Sequence, residues 1–381
     1  MTKTALTSEC TAAGAPLYLA FELGSTKWVL AFTTSPGQRP RVRSIPAGDL
    51  GALEREMVGA QDRFGLPRTS AIRSCYEAGR DGFWLHRWLV GRGIGNEVVD
   101  SSSIEVNRRA RRAKTDRLDA GKLVQLLMRA TQGEPKVWSV VRVPTPEAEA
   151  ARQLTRELAT VREDRTRIRN RIQALLATQG IRDGLRRGFA ERLTTLQTGD
   201  GRPLPPAFRE RVAREWAQLQ VVDARRTVLR TLRETAIREG QDRVSQVARG
   251  LCRLGSIGEA SAALYSAELF GTRTFQNGRQ LGALTGLVPV PYRSDQRVQD
   301  QGISKAGRGE LRRVSIQVAW CWLRWQPDSA LAKWFHDRFS SAGGRSRRIG
   351  IVAVARKLVI ALWRFVEHGV VPDGARLKAV A

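Results

Sequence analysis

A chain of 381 residues is long enough to bury a substantial core and to divide into two or three units. Its 42% apolar and 27% charged residues are ordinary for a soluble globular protein, but 64 Lys and Arg against 37 Asp and Glu leave a net charge of +27. That field points to a polyanionic partner, nucleic acid ahead of an anionic membrane surface, while four scattered Cys without a CxxC pair and only three His argue against a zinc site.

The first segment, residues 15–135, alternates strand and helix patterns. Leu17–Leu23 and Lys27–Thr33 are apolar runs split by Gly24 and Ser25, which suits a tight antiparallel hairpin. A helical stretch over Leu50–Phe64, an apolar run at Ser70–Tyr76, a helix at Gly82–Val90, a strand at Asn96–Val99 and a helix at Asp116–Ala130 follow. This order predicts a mixed α/β domain whose later strands are joined by helices.

Residues 145–249 read differently. Thr145-Pro146-Glu147 is a helix start, with a capping Thr, Pro at the first helical position and acids in the first turn. Leu154, Leu158, Val161, Ile168, Ile172 and Leu175 then recur at spacings of four and three, with Arg165 at the skipped seam position. Residues 181–206 are rich in Gly, Pro and Arg and read as a tip, and a second long helix is expected from about Pro206 to Arg249. The two form an antiparallel helical hairpin, a coiled coil that either serves as a dimerisation arm or folds on itself. Residues 250–381 read as mainly α with Gly-rich turns, among them Leu254-Gly255-Ser256-Ile257-Gly258, and end in a helix from Ile349 that carries Arg356 and Lys357 in an apolar pattern. No uninterrupted apolar run is long enough to span a bilayer, and no signal core precedes Leu17, so the expected setting is cytoplasmic and reducing.

Four carboxylates carry the chemistry. Glu22 sits inside the first apolar strand and Glu77 ends a later one, while Asp116 and Asp119 are spaced i, i+3 on one helix face. A charge inside an apolar strand is costly unless paired or bound to a metal. Phosphodiester cleavage at a two-metal site needs several carboxylates around ions roughly 4 Å apart. Oxygen-only donors select Mg²⁺ or Mn²⁺. Each acid also has a purely structural reading: Glu22 as a solvent-facing strand end, Glu77 as an acceptor for a backbone N–H, Asp116 as a first-turn acid favoured by the helix dipole.

The order strand–Glu22, then Tyr76-Glu77-Ala78, then Lys114-Thr115-Asp116-Arg117-Leu118-Asp119-Ala120 resembles the DEDD transposases of bacterial insertion sequences, also called bridge recombinases. Further matching segments are Val143-Pro144-Thr145-Pro146, Phe275 through Gly286-Leu287-Val288-Pro289, Ser294, Gly302-Ile303-Ser304-Lys305-Ala306-Gly307 and Leu311-Arg312, so the resemblance covers nearly the whole chain. It implies a ribonuclease H-like (RuvC-like) first domain binding Mg²⁺ or Mn²⁺ through Glu22, Glu77, Asp116 and Asp119. It also implies a second domain whose Ser294 joins covalently to DNA. Arg293, Ser304, Lys305, Arg308 and Arg312 are then expected to contact nucleic acid. A structured noncoding guide RNA, a dimer or tetramer, and a bacterial protein on the nucleoid when acting are further implications.

Three positions depart from the family pattern: Glu22 stands where Asp is usual, Asp295 where Gly follows the serine, and Gly255-Ser256 where Pro-Gly is usual. Rival readings are a RuvC-like structure-specific nuclease, a degenerate copy that only binds nucleic acid, and a tyrosine recombinase using Tyr292 beside Arg293. For the nucleophile itself, Ser304 beside Lys305 is the rival to Ser294.

Overall fold

The computed structural model describes residues 14–104, 116–182, 184–294, 297–341 and 343–378; along 291–301 it describes no side chains. The chain divides into two compact units, Met1–Val143 and Pro144–Ala381.

The first unit begins with the expected hairpin, β1 (Leu17–Leu23) and β2 (Lys27–Thr33), turned at Gly24, whose N–H donates to the Lys27 carbonyl at 3.1 Å. Next come β3 (Arg41–Pro46), α1 (Leu50–Arg63), β4 (Ile72–Glu77), α2 (Trp84–Gly91), β5 (Gly95–Val99), a 3₁₀ turn (Ser101–Ser103) and α3 (Asp116–Thr131). The sheet order is β3-β2-β1-β4-β5, antiparallel from β3 to β1 and parallel from β1 to β5. Its two faces follow the period of two along β1. Leu17, Leu19 and Phe21 pack with α1 and α2 residues such as Leu53 and Leu89, while Tyr18 and Ala20 pack with Ala120, Leu123 and Leu127 of α3. Asp49 starts α1 by accepting from the Ala52 N–H at 2.8 Å. Strand β3 was not foreseen: Arg41, Arg43 and Ser44 break its apolar run, as a strand at the sheet edge tolerates.

The second unit opens with α4 (Pro146–Thr178), capped by Thr145 as the sequence predicts, with Oγ1 accepting from the Ala148 N–H at 3.2 Å. A short helix α5 (Phe189–Thr195) fills the tip, and α6 (Pro206–Glu239) returns along α4. Val161, Ile168 and Ile172 of α4 are buried, and Ile168 and Ile172 share one core with Val212 and Leu219 of α6, so the seam is covered within the chain. Arg165, the polar seam residue, pairs with Asp223 of α6.

The second long helix stops ten residues short of the expected end. At Gly240 an added Cβ would lie 2.2 Å from Ser245 Oγ and 2.5 Å from the Ala236 carbonyl, and Asp242 starts α7 (Arg243–Cys252) by accepting from the Ser245 N–H at 3.0 Å. Arg249 Nη1 donates to the carbonyls of Ile237 and Gly240, each at 2.7 Å, and so closes the end of α6. Thereafter come α8 (Glu259–Tyr265), a π turn (Ser266–Phe270), α9 (Gly278–Thr285), the hairpin β6 (Pro289–Ser294) and β7 (Arg297–Ile303), α10 (Gly309–Trp325), α11 (Ala330–Phe339) and α12 (Gly344–His368). Tyr265, Phe270, Trp322 and Leu362 anchor its main core. The β6–β7 hairpin is a strand pair within a segment that reads as mainly α, because Pro289 and Pro291 hide its strand character. Among the described residues no helix is long and apolar enough to cross a membrane.

Candidate functional site

The acids of the first unit come to one edge of the sheet. Strands β1 and β4 are parallel neighbours with Phe21 opposite Tyr76, so Glu22 and Glu77 follow side by side at the carboxyl ends of both strands. Tyr18 and Ala20 of β1 and Cys75 of β4 face α3; by alternation Glu22 and Glu77 lie on that same face. Helix α3 begins at this edge. Cys75 Sγ lies 4.0 Å from the Leu123 carbonyl, and one turn earlier stands Asp119. Asp116 in the same first turn meets Lys27, the first residue of β2, at 3.8 Å. Glu77 and Asp116 are exposed, Glu22 and Asp119 half-buried.

The surroundings are firmly built. Burial pushes the Cys75 thiol well above its ordinary range, and the carboxylates of Glu97 and Glu77 push the same way, so it stays protonated. Trp138 Nε1 donates to Glu97 at 3.0 Å, Tyr76 donates its hydroxyl proton to the Gly82 carbonyl at 3.1 Å, and the Ala78 N–H reaches the Val99 carbonyl at 2.7 Å. Asp100, after β5, accepts from the Ser102 N–H at 2.9 Å. Among the described residues no group of three or more His, Cys, Asp or Glu closes into a ready-made metal cluster. Glu22 and Glu77 share a strand edge and a face, and Asp116 and Asp119 stand in the first turn of the helix that packs on that face. Their donor set, oxygens alone, suits a hard divalent cation, and Lys27 is the positive charge already beside it.

In the second unit, β6 pairs Arg293 with Val298 and Ser294 with Arg297 at the end of the hairpin where its two strands are joined. The side chains of Arg293 and Ser294, and all of Asp295, fall outside the described residues. At the other end of the hairpin lies a turn shaped by two glycines. The Ser304 N–H donates to the Val288 carbonyl at 2.8 Å and the Lys305 N–H to the Gly286 carbonyl at 3.2 Å. Gly286 (φ 67°) and Gly307 (φ 70°) are left-handed, and a Cβ on either would stand 2.1 Å from a backbone carbonyl, of Ala306 and Leu284 respectively. Lys305 holds φ 54° without being glycine, a local strain that this pair of bonds sustains. Ser304 and Lys305 are both exposed there, and Arg312 is half-exposed with Nη1 3.4 Å from the Ala306 carbonyl.

Arg308 is placed differently. Its guanidinium binds the carboxylate of Glu268, in the π turn, and reaches Glu310 at 2.9 Å. Glu268 is 4% exposed by side chain and also faces Arg156 at 3.2 Å and the buried Arg152 at 3.8 Å. Burial pulls the Arg152 guanidinium below its ordinary range and Glu268 opposes that pull. Arg308 is expected from the sequence to contact nucleic acid and is here held by Glu268 and Glu310, while Arg152, Arg156 and Glu268 of this cluster, and Lys27, are residues the sequence reading does not single out. The signal for Glu268 was the one that marked Glu22: a lone acid within an apolar stretch, here Ala262–Phe270.

Residues 248–334 match the family described as Transposase IS116/IS110/IS902, a segment running from α7 into α11 and including the hairpin and the glycine-shaped turn. The chain is 38% identical over 378 residues to the Sinorhizobium fredii protein named "Putative transposase y4rJ", covering 95% of this chain and 94% of that one. It is 26% identical over 318 residues to "Putative transposase y4qE" of the same organism, covering 76% and 74%. Over 128 residues it is 30% identical to the transposase for insertion sequence element IS1328 of Yersinia enterocolitica, covering 33% of this chain and 37% of that one.

Proposed function

This chain belongs to the IS116/IS110/IS902 family of transposases, and we propose that it cuts and rejoins DNA with the acidic edge of the first unit as its metal site and Ser294 as its nucleophile. The observation that carries the reading is the side-by-side placement of Glu22 and Glu77 at parallel strand ends, on the face where α3 packs, whose first turn carries Asp116 and Asp119. We read the sheet, with its central parallel pair and antiparallel hairpin, as ribonuclease H-like. Glu22, Glu77, Asp116 and Asp119 would hold Mg²⁺ or Mn²⁺, and a divalent ion bound there stabilises the attacking and leaving oxygens of a phosphodiester displacement.

For its part Ser294 forms a bond from Oγ to phosphorus as the bond from phosphorus to a deoxyribose oxygen breaks; rejoining reverses both changes. Its hydroxyl must lose a proton on attack, and between Gly286 and Arg312 there is no His to take it. The reading includes a structured guide RNA and an oligomer; the excess of 27 positive charges is more than a single duplex contact needs.

The test is chemical. Asp116→Asn and Glu77→Gln are expected to abolish divalent-metal-dependent cleavage of the element's ends while nucleic-acid affinity stays within about twofold. Ser294→Ala is expected to eliminate the covalent protein–DNA adduct, located by digestion and mass spectrometry. An adduct on Ser304 or Tyr292 reassigns the nucleophile; cleavage with no adduct assigns a nuclease instead.

A further inference from the structure

Helix α12 carries apolar residues on more than one side, yet the core takes one side of it. Ile351, Val354, Ala355, Leu358 and Leu362 are buried. The other side carries Arg345, Arg348, Ile349, Val352, Arg356 and Ile360, which recur at helical spacing along a single stripe. This stripe, with Leu287 at the foot of the β6–β7 hairpin and Ile303 at its end, lines a groove of about 810 Å³. The volume lies within the roughly 300–1,000 Å³ of pockets that take small organic ligands. Ile349 stands 60% exposed among its lining residues.

The charge on this groove has one sign. Arg345, Arg348, Arg356 and Lys357 all line it, and among the described residues no acid does. None of the three arginines forms an ion pair among the described residues, unlike Arg152, Arg156, Arg162 and Arg308 elsewhere in the same unit. Lys357 lies with its ammonium 4.6 Å from the centre of the Trp334 ring. Arg345 and Arg356 are eleven residues apart, so the cations are spread over about 16 Å of helix.

We infer that this groove binds an unpaired stretch of nucleic-acid strand, with bases on the apolar floor and phosphates on the four cations. The inference rests on the proposed reading of the chain as a DNA-processing enzyme. A paired duplex presents phosphates but keeps its bases stacked inside, so it gains from the cations and nothing from the floor. An unpaired strand gains from both, since every base offers an apolar face regardless of sequence. The shape, the apolar floor and the unmatched charge thus select the unpaired form.

The test uses the full-length protein and a 12-nucleotide oligothymidylate carrying one 5-iodouracil, compared with a 12-base-pair duplex. Photo-crosslinks are expected on the peptide spanning Ile349–Arg356. Ala353→Trp, which fills the groove and leaves every charge in place, and Ile349→Glu, at an exposed position, are each expected to weaken single-strand binding at least about tenfold. Duplex binding should change less than about twofold for Ala353→Trp, and the exposed Ile349→Glu serves should the tryptophan variant fail to fold. Undiminished single-strand binding by a folded Ala353→Trp or Ile349→Glu, or crosslinks confined elsewhere, would overturn the inference. Loss of duplex and single strand in equal measure overturns it too, since the site then reads charge alone. Oligonucleotide binding that survives while polyglutamate or phosphatidylglycerol vesicles lose theirs assigns the groove to another anion and overturns it. None of these results touches metal-dependent cleavage by the acidic edge, whose own variants report separately on the transposase reading.

Discussion

Lys27 and Asp116 meet at 3.8 Å with both side chains more than half exposed, a pairing that contributes at most about 1 kcal/mol. Its interest is chemical. Lys27→Ala is expected to leave the unfolding midpoint in urea almost unmoved while altering the metal concentration needed for half-maximal cleavage, since a competing cation is removed beside Asp116. Glu268 is the opposite case: with 4% of its side chain exposed and three guanidiniums around it, removal leaves Arg152 buried without its counter-charge. Glu268→Ala should cost about 3–5 kcal/mol in equilibrium unfolding, the range for breaking a buried ion pair on one side. A loss under about 1 kcal/mol would show that water replaces the carboxylate. Cys75, fully buried and held protonated, should resist iodoacetamide in the native protein while exposed Cys321 reacts. Glu22 stands out as a single letter because a carboxylate between Phe21 and Leu23 is conspicuous, whereas Asp116 and Asp119 stand out through their i, i+3 spacing. What was not readable was Lys27, whose meaning depends on α3 arriving at the hairpin's end.

At the scale of elements, the contact between the end of α9 and the turn at 304–307 depends on two glycines. Gly286→Ala and Gly307→Ala combine a left-handed φ with a clash at 2.1 Å, whereas Gly302→Ala has φ 86° and no atom within 4 Å. The first two should therefore destabilise well beyond the roughly 1–2 kcal/mol of left-handed strain alone, and the third by about that amount. Thermal unfolding of the three variants checks the ranking; equal losses would mean the turn relaxes freely. The start of α4 and its seam were legible from capping and from spacings of four and three. The partner of that seam was not, because periodicity shows that a stripe is buried and is silent about what covers it. Gly240 ended α6 early, where a single Gly in an otherwise helical pattern gave too little warning. Strand β6 was hidden by its prolines and β3 by its arginines.

For the molecule as a whole, the predicted quantity is the response to salt. With 64 cations against 37 acids, binding to nucleic acid should release counterions, and the logarithm of affinity should fall linearly and steeply with the logarithm of salt. A flat response would mean the charge is spent internally, as it is for Arg308 and Arg165. The α/β alternation of the first unit was legible in the order of its runs. The sheet order that sets Glu22 beside Glu77 was not, since adjacency of β1 and β4 is a long-range choice that local pattern leaves open.

The pairing of α4 with α6 also limits how such a chain can change in length. Inserting one residue into α4 alone would rotate everything beyond it by about 100° and lift Ile168 and Ile172 out of their shared core with Val212 and Leu219. Removing a heptad from one helix keeps the faces aligned but strands the other helix without a partner at the tip. Viable length variation is therefore confined to two routes: drift within the tip between α4 and α6, or matched heptad changes in both helices at once. The hairpin is a ruler whose two edges lengthen only together.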